Sequence, residues 1–446
     1  MRLFYNTGIY LLDAGLHAAG MFNDKARLWC RGRRRIFSRM AEAVAGRSGA
    51  DGCPDTLSVC GAEAKERTRT GDGSDHCTAG TDLIWFHCAS LGEFEQGRPV
   101  IEAFRAAHPG WKILLTFFSP SGYEVRKNYA GADYIFYLPA DTPRNARRFV
   151  SIFRPKIAVF VKYEFWANYL FALQRSGARA YLISGIFRPG QSDAVLPGLD
   201  GLGLFRRVLG TFDRLFVQNE ESLKLLQGIG AVNAEVAGDT RFDRVYAIAQ
   251  GAKALPEVER FAEGAEVFVA GSTWPPDEQL LLALINANPD VKFILAPHEV
   301  DPARIERMIA QIDRPCLRYT QLTPQSDLAG GGVLFIDTIG ILSSVYRYGK
   351  WGYIGGGFGV GIHNTLEAAT FGLPLAFGPN YEKFQEARDL IGVGGARSIS
   401  DYAQLADWFG ILRGDAAEYQ RSSSACAEYV RSHKGATGQI IAGIRV

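Results

Sequence analysis

Two acidic clusters and one glycine-rich run hold the residues of this chain best suited to chemistry. The first is His87-Cys-Ala-Ser-Leu-Gly-Glu93, directly after a short apolar run. A strand ending in Ser-x-Gly-Glu presents a carboxylate at a strand-to-helix turn, and Gly92 permits a tight turn or close approach of a ligand. Glu93 could there take a proton from an acceptor hydroxyl; the alternative is that it caps the following helix, expected near Glu95. The second cluster, Lys162-Tyr-Glu164-Phe-Trp-Ala-Asn168, follows another apolar run. Two such clusters suggest a shared site; the alternative is a surface ion pair beside a core Trp166. The third is Gly355-Gly-Gly-Phe-Gly-Val-Gly-Ile-His-Asn-Thr-Leu-Glu367. A glycine loop leading into a helix near Asn364 suits an anion. Glu367 could accept hydrogen bonds from ribose hydroxyls, and His363 and Asn364 could donate to a phosphate or base; the alternative is a loop built for tight packing. Gly271-Ser-Thr-Trp274, Pro297-His298-Glu299 and Asp337-Thr-Ile339-Gly340 place small and polar residues after three further apolar runs.

Several familiar signatures are missing from the sequence. It has no G-x-G-x-x-G after a strand, no P-loop, no H-E-x-x-H and no G-x-S-x-G. No Asp-x-Asp pair of the kind that holds a divalent metal on a sugar-nucleotide diphosphate is present, so no metal and no cofactor is expected. The 446 residues contain 49 Lys+Arg against 47 Asp+Glu, and a net charge of +2 gives no drive toward nucleic acid. Seven cysteines in so long a chain do not make a secreted disulfide scaffold. With 47% apolar and 22% charged residues the bulk is globular.

The elements that must position these clusters are short apolar runs alternating with helical stretches. In the first half the runs are Leu83–His87, Lys112–Phe117, Tyr134–Tyr137, Ile157–Val161, Ala180–Ile183, Arg214–Val217 and Ala234–Ala237. A second series contains Val267–Ala270, Lys292–Ala296, Val333–Ile336, Lys350–Ile354 and Leu375–Phe377. Alternation of this kind predicts parallel sheets covered by helices, with ligands beyond the carboxyl ends of the strands. The expected organisation is an N-terminal membrane-associated helix with a basic collar (1–45), a flexible Gly/Ser/Thr-rich insertion (46–81) and two α/β domains (82–250 and 251–446). Residues 2–22 are mostly apolar, but Asp13 and His17 make them a poor bilayer-spanning helix. Lys25, Arg27, Arg31, Arg33, Arg34, Arg35 and Arg39 follow and would face anionic lipid. The alternative is a core helix followed by a solvated basic face. The insertion holds Cys53, Cys60, Cys77 and His76, at spacings unlike a zinc site.

Together these motifs resemble the 3-deoxy-D-manno-octulosonic acid (Kdo) transferases of lipid A biosynthesis, an inverting glycosyltransferase family. Ser-Leu-Gly-Glu93 resembles the family's Ser-Val-Gly-Glu, Glu164-Phe-Trp-Ala-Asn its Glu-Leu-Trp-Pro-Asn, and Gly238-Asp-Thr-Arg241-Phe-Asp its Gly-x-x-Lys-Phe-Asp. The resemblance implies the GT-B architecture, two doubly wound Rossmann-like domains facing across a cleft. It implies Glu93 as base, Glu164 in a transition-state role and Arg241 at the basic position. Pro297 and His298, Ile339, Gly340 and Ile341, and Asn364, Thr365, Leu366 and Glu367 fall on the segments implied to bind CMP. The chain departs from the family at Glu299, where Pro-Arg-His-Pro is usual around Pro297-His298, and at Ile341, where Gly-Glu-Leu is usual.

The implied donor is CMP-Kdo and the implied acceptor a lipid A precursor (lipid IVA), at the cytoplasmic face of the inner membrane. Rival readings are another membrane-associated GT-B transferase with a different lipid acceptor, a non-hydrolysing epimerase of the same fold, and a catalytically inactive nucleotide-sugar-binding protein.

Overall fold

The computed structural model describes residues 2–48, 82–188, 203–323 and 325–446. Nearly all of the expected insertion, with Cys53, Cys60, Cys77 and His76, lies outside them. The chain divides into two compact units, Met1–Thr240 with Gly435–Val446, and Arg241–Lys434.

The first unit begins with α1 (Arg2–Ala19), α2 (Asp24–Arg33) and α3 (Ile36–Ser48). Strand and helix then alternate: β1 (Leu83–Cys88), α4 (Leu91–Ala107), β2 (Lys112–Phe117), α5 (Pro120–Arg126), β3 (Tyr134–Tyr137), α6 (Pro143–Phe153), β4 (Ile157–Val161), α7 (Ala167–Ser176) and β5 (Arg179–Gly185). After α8 (Leu204–Leu209) come β6 (Arg214–Val217), α9 (Glu220–Gly228) and β7 (Ala234–Val236). All seven strands are parallel, in the order β3-β2-β1-β4-β5-β6-β7. The order reverses between β1 and β4, so the crevice for a ligand opens beyond their carboxyl ends.

Strand periodicity sorts β1 between two cores. Ile84, Phe86 and Cys88 pack with Phe94, Val100 and Ile101 of α4, while Trp85 packs with Phe149 of α6 and Tyr169 of α7. His87 shares the parity of Trp85 and is fully buried. Ile440 and Ile444, at the end of the chain, join the α4 side, which is why residues 435–446 belong to this unit.

α1 lies on the body through one face. The Tyr5 hydroxyl donates to Asp141 at 2.6 Å and accepts from the Ala167 amide at 3.3 Å; Asn168 donates to Asn6 at 2.8 Å; Ile9 is buried. Arg33 pins α2 by donating to the carbonyls of Leu138 and Phe118, both at 2.8 Å, with its guanidinium 3.8 Å from the Trp29 ring centroid. The opposite side of this hairpin leaves Leu3, Phe4, Leu11, Met21 and Phe22 exposed. Among the described residues no helix is long and apolar enough to cross a membrane.

The second unit contains β8 (Val267–Thr273), β9 (Lys292–Pro297), β10 (Cys316–Arg318), β11 (Val333–Phe335), β12 (Trp351–Ile354), β13 (Leu375–Phe377) and β14 (Ala396–Ser398). These too are all parallel, in the order β10-β11-β9-β8-β12-β13-β14. The division between units falls at Thr240/Arg241, ten residues before the boundary expected from the sequence, because Phe242 and Val245 pack into the core of the second unit. Two helices follow this division, Thr240–Gln250 and Pro256–Ala262, with Pro256 at the first turn of the latter, where its missing N–H costs nothing.

Asp141 anchors α1 from a buried position, and burial pushes its carboxyl up from 3.8 to about 7 despite three donors. An acid raised in the folded state holds a proton that the unfolded chain releases between those values. Its contribution to stability is therefore full below 3.8 and lost as pH rises through about 7. Unfolding free energies measured across that window should fall with pH in the wild type and fall less in Asp141→Asn; equal slopes would show that Asp141 does not titrate there.

Candidate functional site: two carboxylates at the strand reversal

Glu93 and Glu164 both stand at the reversal point of the first sheet. α4 begins at Leu91, earlier than the sequence suggests, and Ser90 is its N-cap. Glu93 closes a capping box: its Oε2 accepts from the Ser90 amide at 3.1 Å and from the Ser90 hydroxyl. The capping role weighed for Glu93 is thus real, but it uses one oxygen. Oε1 faces the Lys162 ammonium at 3.9 Å. Lys162 directly follows β4 with φ of 71°, a left-handed conformation that costs a non-glycine residue on the order of 1 kcal/mol. This turn throws the two residues after it back over the end of β1.

Glu164 meets His87 there. Its Oε2 lies 3.1 Å from His87 Nε2 and accepts from the Trp166 indole at 2.6 Å. On the other side of the imidazole, Nδ1 is 2.8 Å from the Thr116 hydroxyl, which accepts from Trp85 at 2.7 Å. Thr116 is the register partner of His87 on β2, so the contact follows from strand pairing. A cavity of about 200 Å³ opens beside Glu164, lined by Tyr5, Ile9, Trp166, Leu204 and Val208 among others. A larger cavity, about 690 Å³, lies at the opposite, amino ends of the strands around Ile157 and Arg179 and holds neither carboxylate.

The second unit collects the other candidates. Trp274, His298 and His363 form a stack: Trp274 and His298 centroids are 4.7 Å apart and His298 and His363 4.4 Å apart. The Trp274 indole donates to His363 Nε2 at 3.0 Å. Burial, then the neighbouring His298, lowers His363 to about 4, so its ring is neutral at physiological pH. Pro297, at the end of β9, is buried beneath this stack's exposed His298. Asn364 donates to Glu367 at 3.0 Å, whereas Thr365 and Leu366 are fully buried. Leu366 therefore serves the core, and the helix expected from Asn364 is the single turn Leu366–Ala369. Ile339 is 88% exposed, Gly340 turns with φ of 95°, and Ile341 packs part of its side chain on the core.

Arg241 makes a two-pronged ion pair with Glu386, at 2.9 and 3.3 Å. Glu386 is buried and had no motif to announce it. Asp277 escaped notice for the same reason. It accepts from the amides of Trp274 at 2.8 Å and Gly356 at 2.9 Å and from the Tyr353 hydroxyl at 2.8 Å, tying the end of β8 to the glycine loop after β12.

That loop is glycine for steric reasons, as the packing alternative held. A Cβ on Gly357 would stand 2.6 Å from the Gly378 backbone, whereas one on Gly359 would meet nothing within 4 Å. Gly357→Ala should therefore cost about 1–3 kcal/mol in chemical denaturation, and Gly359→Ala much less. Equal losses would mean that the loop relaxes freely.

Comparison with known proteins places the chain. A family model described as 3-Deoxy-D-manno-octulosonic-acid transferase (kdotransferase) matches residues 62–244. The 3-deoxy-D-manno-octulosonic acid transferase of Bordetella pertussis is 28% identical over 371 residues, 79% of this chain and 85% of that protein. The enzyme of the same name from Aquifex aeolicus is 26% identical over 320 residues, 70% of this chain and 80% of that protein. Among solved structures, UDP-GlcNAc 2-epimerase from Neisseria meningitidis bound to UDP-GlcNAc superposes with a TM-score of 0.58 at 14% identity, over 81% of this chain and 98% of that one, a likeness of fold alone. With the motifs above, these relatives mark the chain as a glycosyltransferase similar to the 3-deoxy-D-manno-octulosonic acid transferases.

Proposed function

We propose that this chain moves Kdo from CMP-Kdo to a lipid A precursor, lipid IVA, at the cytoplasmic face of the inner membrane. The observation that supports it best is Glu93, a carboxylate at the strand reversal with one oxygen fixed by the helix cap and the other 3.9 Å from Lys162. In this reading Glu93 Oε1 takes the proton of the acceptor hydroxyl as that oxygen bonds to the anomeric carbon of Kdo. The bond from that carbon to the CMP phosphate breaks, its electron pair leaving with the phosphate. Bond breaking ahead of bond making develops positive charge on the sugar, which Glu164 opposes. The leaving phosphate gains negative charge, and Arg241 with the polar groups around Asn364 is suited to stabilise it. No divalent metal enters these steps: the single phosphate of CMP offers no pyrophosphate to clamp.

Glu93→Gln separates the base from the cap, since glutamine at this position also completes a capping box. With purified full chain, CMP-Kdo and lipid A precursor, mass spectrometry should show the wild type adding Kdo. The variant should be slower by about 10²- to 10⁴-fold, the usual effect of a general base. An unaltered rate would remove Glu93 from the chemistry.

The exposed apolar side of α1 and the hairpin, with the exposed Lys25, Arg27, Arg31, Arg34, Arg35 and Arg39 in the segment that follows, suits seating in an anionic membrane surface, whereas Arg33 is taken up by the protein body. Replacing Leu3, Leu11, Met21 and Phe22 with Gln leaves the docked face of α1 intact. It should weaken binding to phosphatidylglycerol vesicles in sedimentation while leaving CMP binding unchanged. Undiminished vesicle binding would place the seat elsewhere.

A further inference from the structure

We infer that His87 is a positioning residue for Glu164, donating from Nε2 to the carboxylate and fed from behind by Thr116 and Trp85. The direction of the chain follows from counting protons. The indole N–H of Trp85 can only donate, and it meets the Thr116 hydroxyl at 2.7 Å. The one proton of that hydroxyl has two acceptors in reach: His87 Nδ1 at 2.8 Å and the Phe86 carbonyl at 3.5 Å. The shorter contact takes it, so Nδ1 accepts, and a neutral ring then has its proton on Nε2. Nε2 points at Glu164 Oε2, 3.1 Å away. Trp166, again only a donor, lies 2.6 Å from the same oxygen; with Nε2 protonated, the carboxylate is the acceptor left to it.

Two N–H groups thus fix Oε2, while Oε1 makes no hydrogen bond to the described residues and is left for a ligand. Both donors are neutral, so they orient the carboxylate without cancelling its charge as an arginine would. This matters for a side chain meant to oppose positive charge on a sugar ring, and the inference rests on that reading of Glu164. The site is built for rigidity. His87 is fully buried among Trp85, Phe160 and Trp166, and it ends an inward-facing strand row in which Leu83 and Trp85 are apolar or aromatic. A free imidazole of no consequence would be replaced there by another apolar residue without loss.

The test joins a spectrum of the wild type to three variants. Nitrogen NMR of the full chain with labelled histidine should show His87 protonated at Nε2 and not at Nδ1. Thr116→Val keeps the volume but removes the hydroxyl; it should mix the two tautomers and lower kcat by about tenfold with KM unchanged. His87→Leu should lower kcat by about 10²-fold, the scale of a misplaced group of this kind, again with KM unchanged. His87→Gln, whose amide N–H reaches the Nε2 position, should recover most of that loss. A wild-type ring protonated at Nδ1, or Leu and Gln variants with equal kcat, would overturn the proposal. Should His87→Leu fail to fold, the wild-type spectrum and Thr116→Val decide alone. A wild type with the Nε2 proton but no transfer of Kdo would overturn the transfer reading and leave the proton assignment standing.

Discussion

The row of β1 that carries Leu83 and Trp85 ends on a polar residue, His87, and the chemistry of the first unit depends on how that residue is satisfied. A buried imidazole without partners costs on the order of several kcal/mol. His87 avoids this by pairing across to Thr116 on β2 and forward to Glu164 beyond β4. The left-handed turn at Lys162 makes the second contact possible and also turns the ammonium of Lys162 toward Glu93. One strained residue therefore links both carboxylates, each at the end of a central strand. Strain of this sort persists only where surrounding contacts over-determine it, and here the cap of α4, the imidazole and the Trp166 indole all do so.

The second unit solves a different problem: bringing backbone segments into direct contact. Asp277 gathers three donors from β8, β12 and the glycine loop, and burial raises its carboxyl above the ordinary range even so. The loop can come so near only because Gly355 and Gly357 have no Cβ. What results is an aromatic stack, Trp274, His298 and His363, followed in the chain by the hydrogen-bonded pair Asn364 and Glu367.

Most strands were legible in the sequence because they are largely apolar runs: Lys112–Phe117, Ile157–Val161 and Arg214–Val217 stand where the runs do. The edge strands β10 and β14 were not, since Cys316–Arg318 and Ala396–Ser398 each hold an arginine and make no apolar run. Glu93 and Glu164 could be picked out as carboxylates directly after apolar runs. Their partners could not. Asp141 holds α1 through Tyr5, a residue 136 positions away, and Glu386 meets Arg241 across 145 positions. Such contacts are set by how sheets and helices stack, and nothing local marks them. The glycine loop was read correctly as special, but whether its glycines served a ligand or packing became decidable only when Gly378 was seen against Gly357.

The account makes Glu93 the base of a direct displacement, and such a displacement inverts the anomeric centre. The most direct test is the configuration of the product formed by purified full chain from CMP-Kdo and a lipid A precursor, read by NMR from the Kdo anomeric carbon and its ring protons. The account predicts Kdo linked to the acceptor with configuration opposite to that in the donor. Retention, which would require a covalent glycosyl intermediate, or release of free Kdo with no linked product, would contradict it.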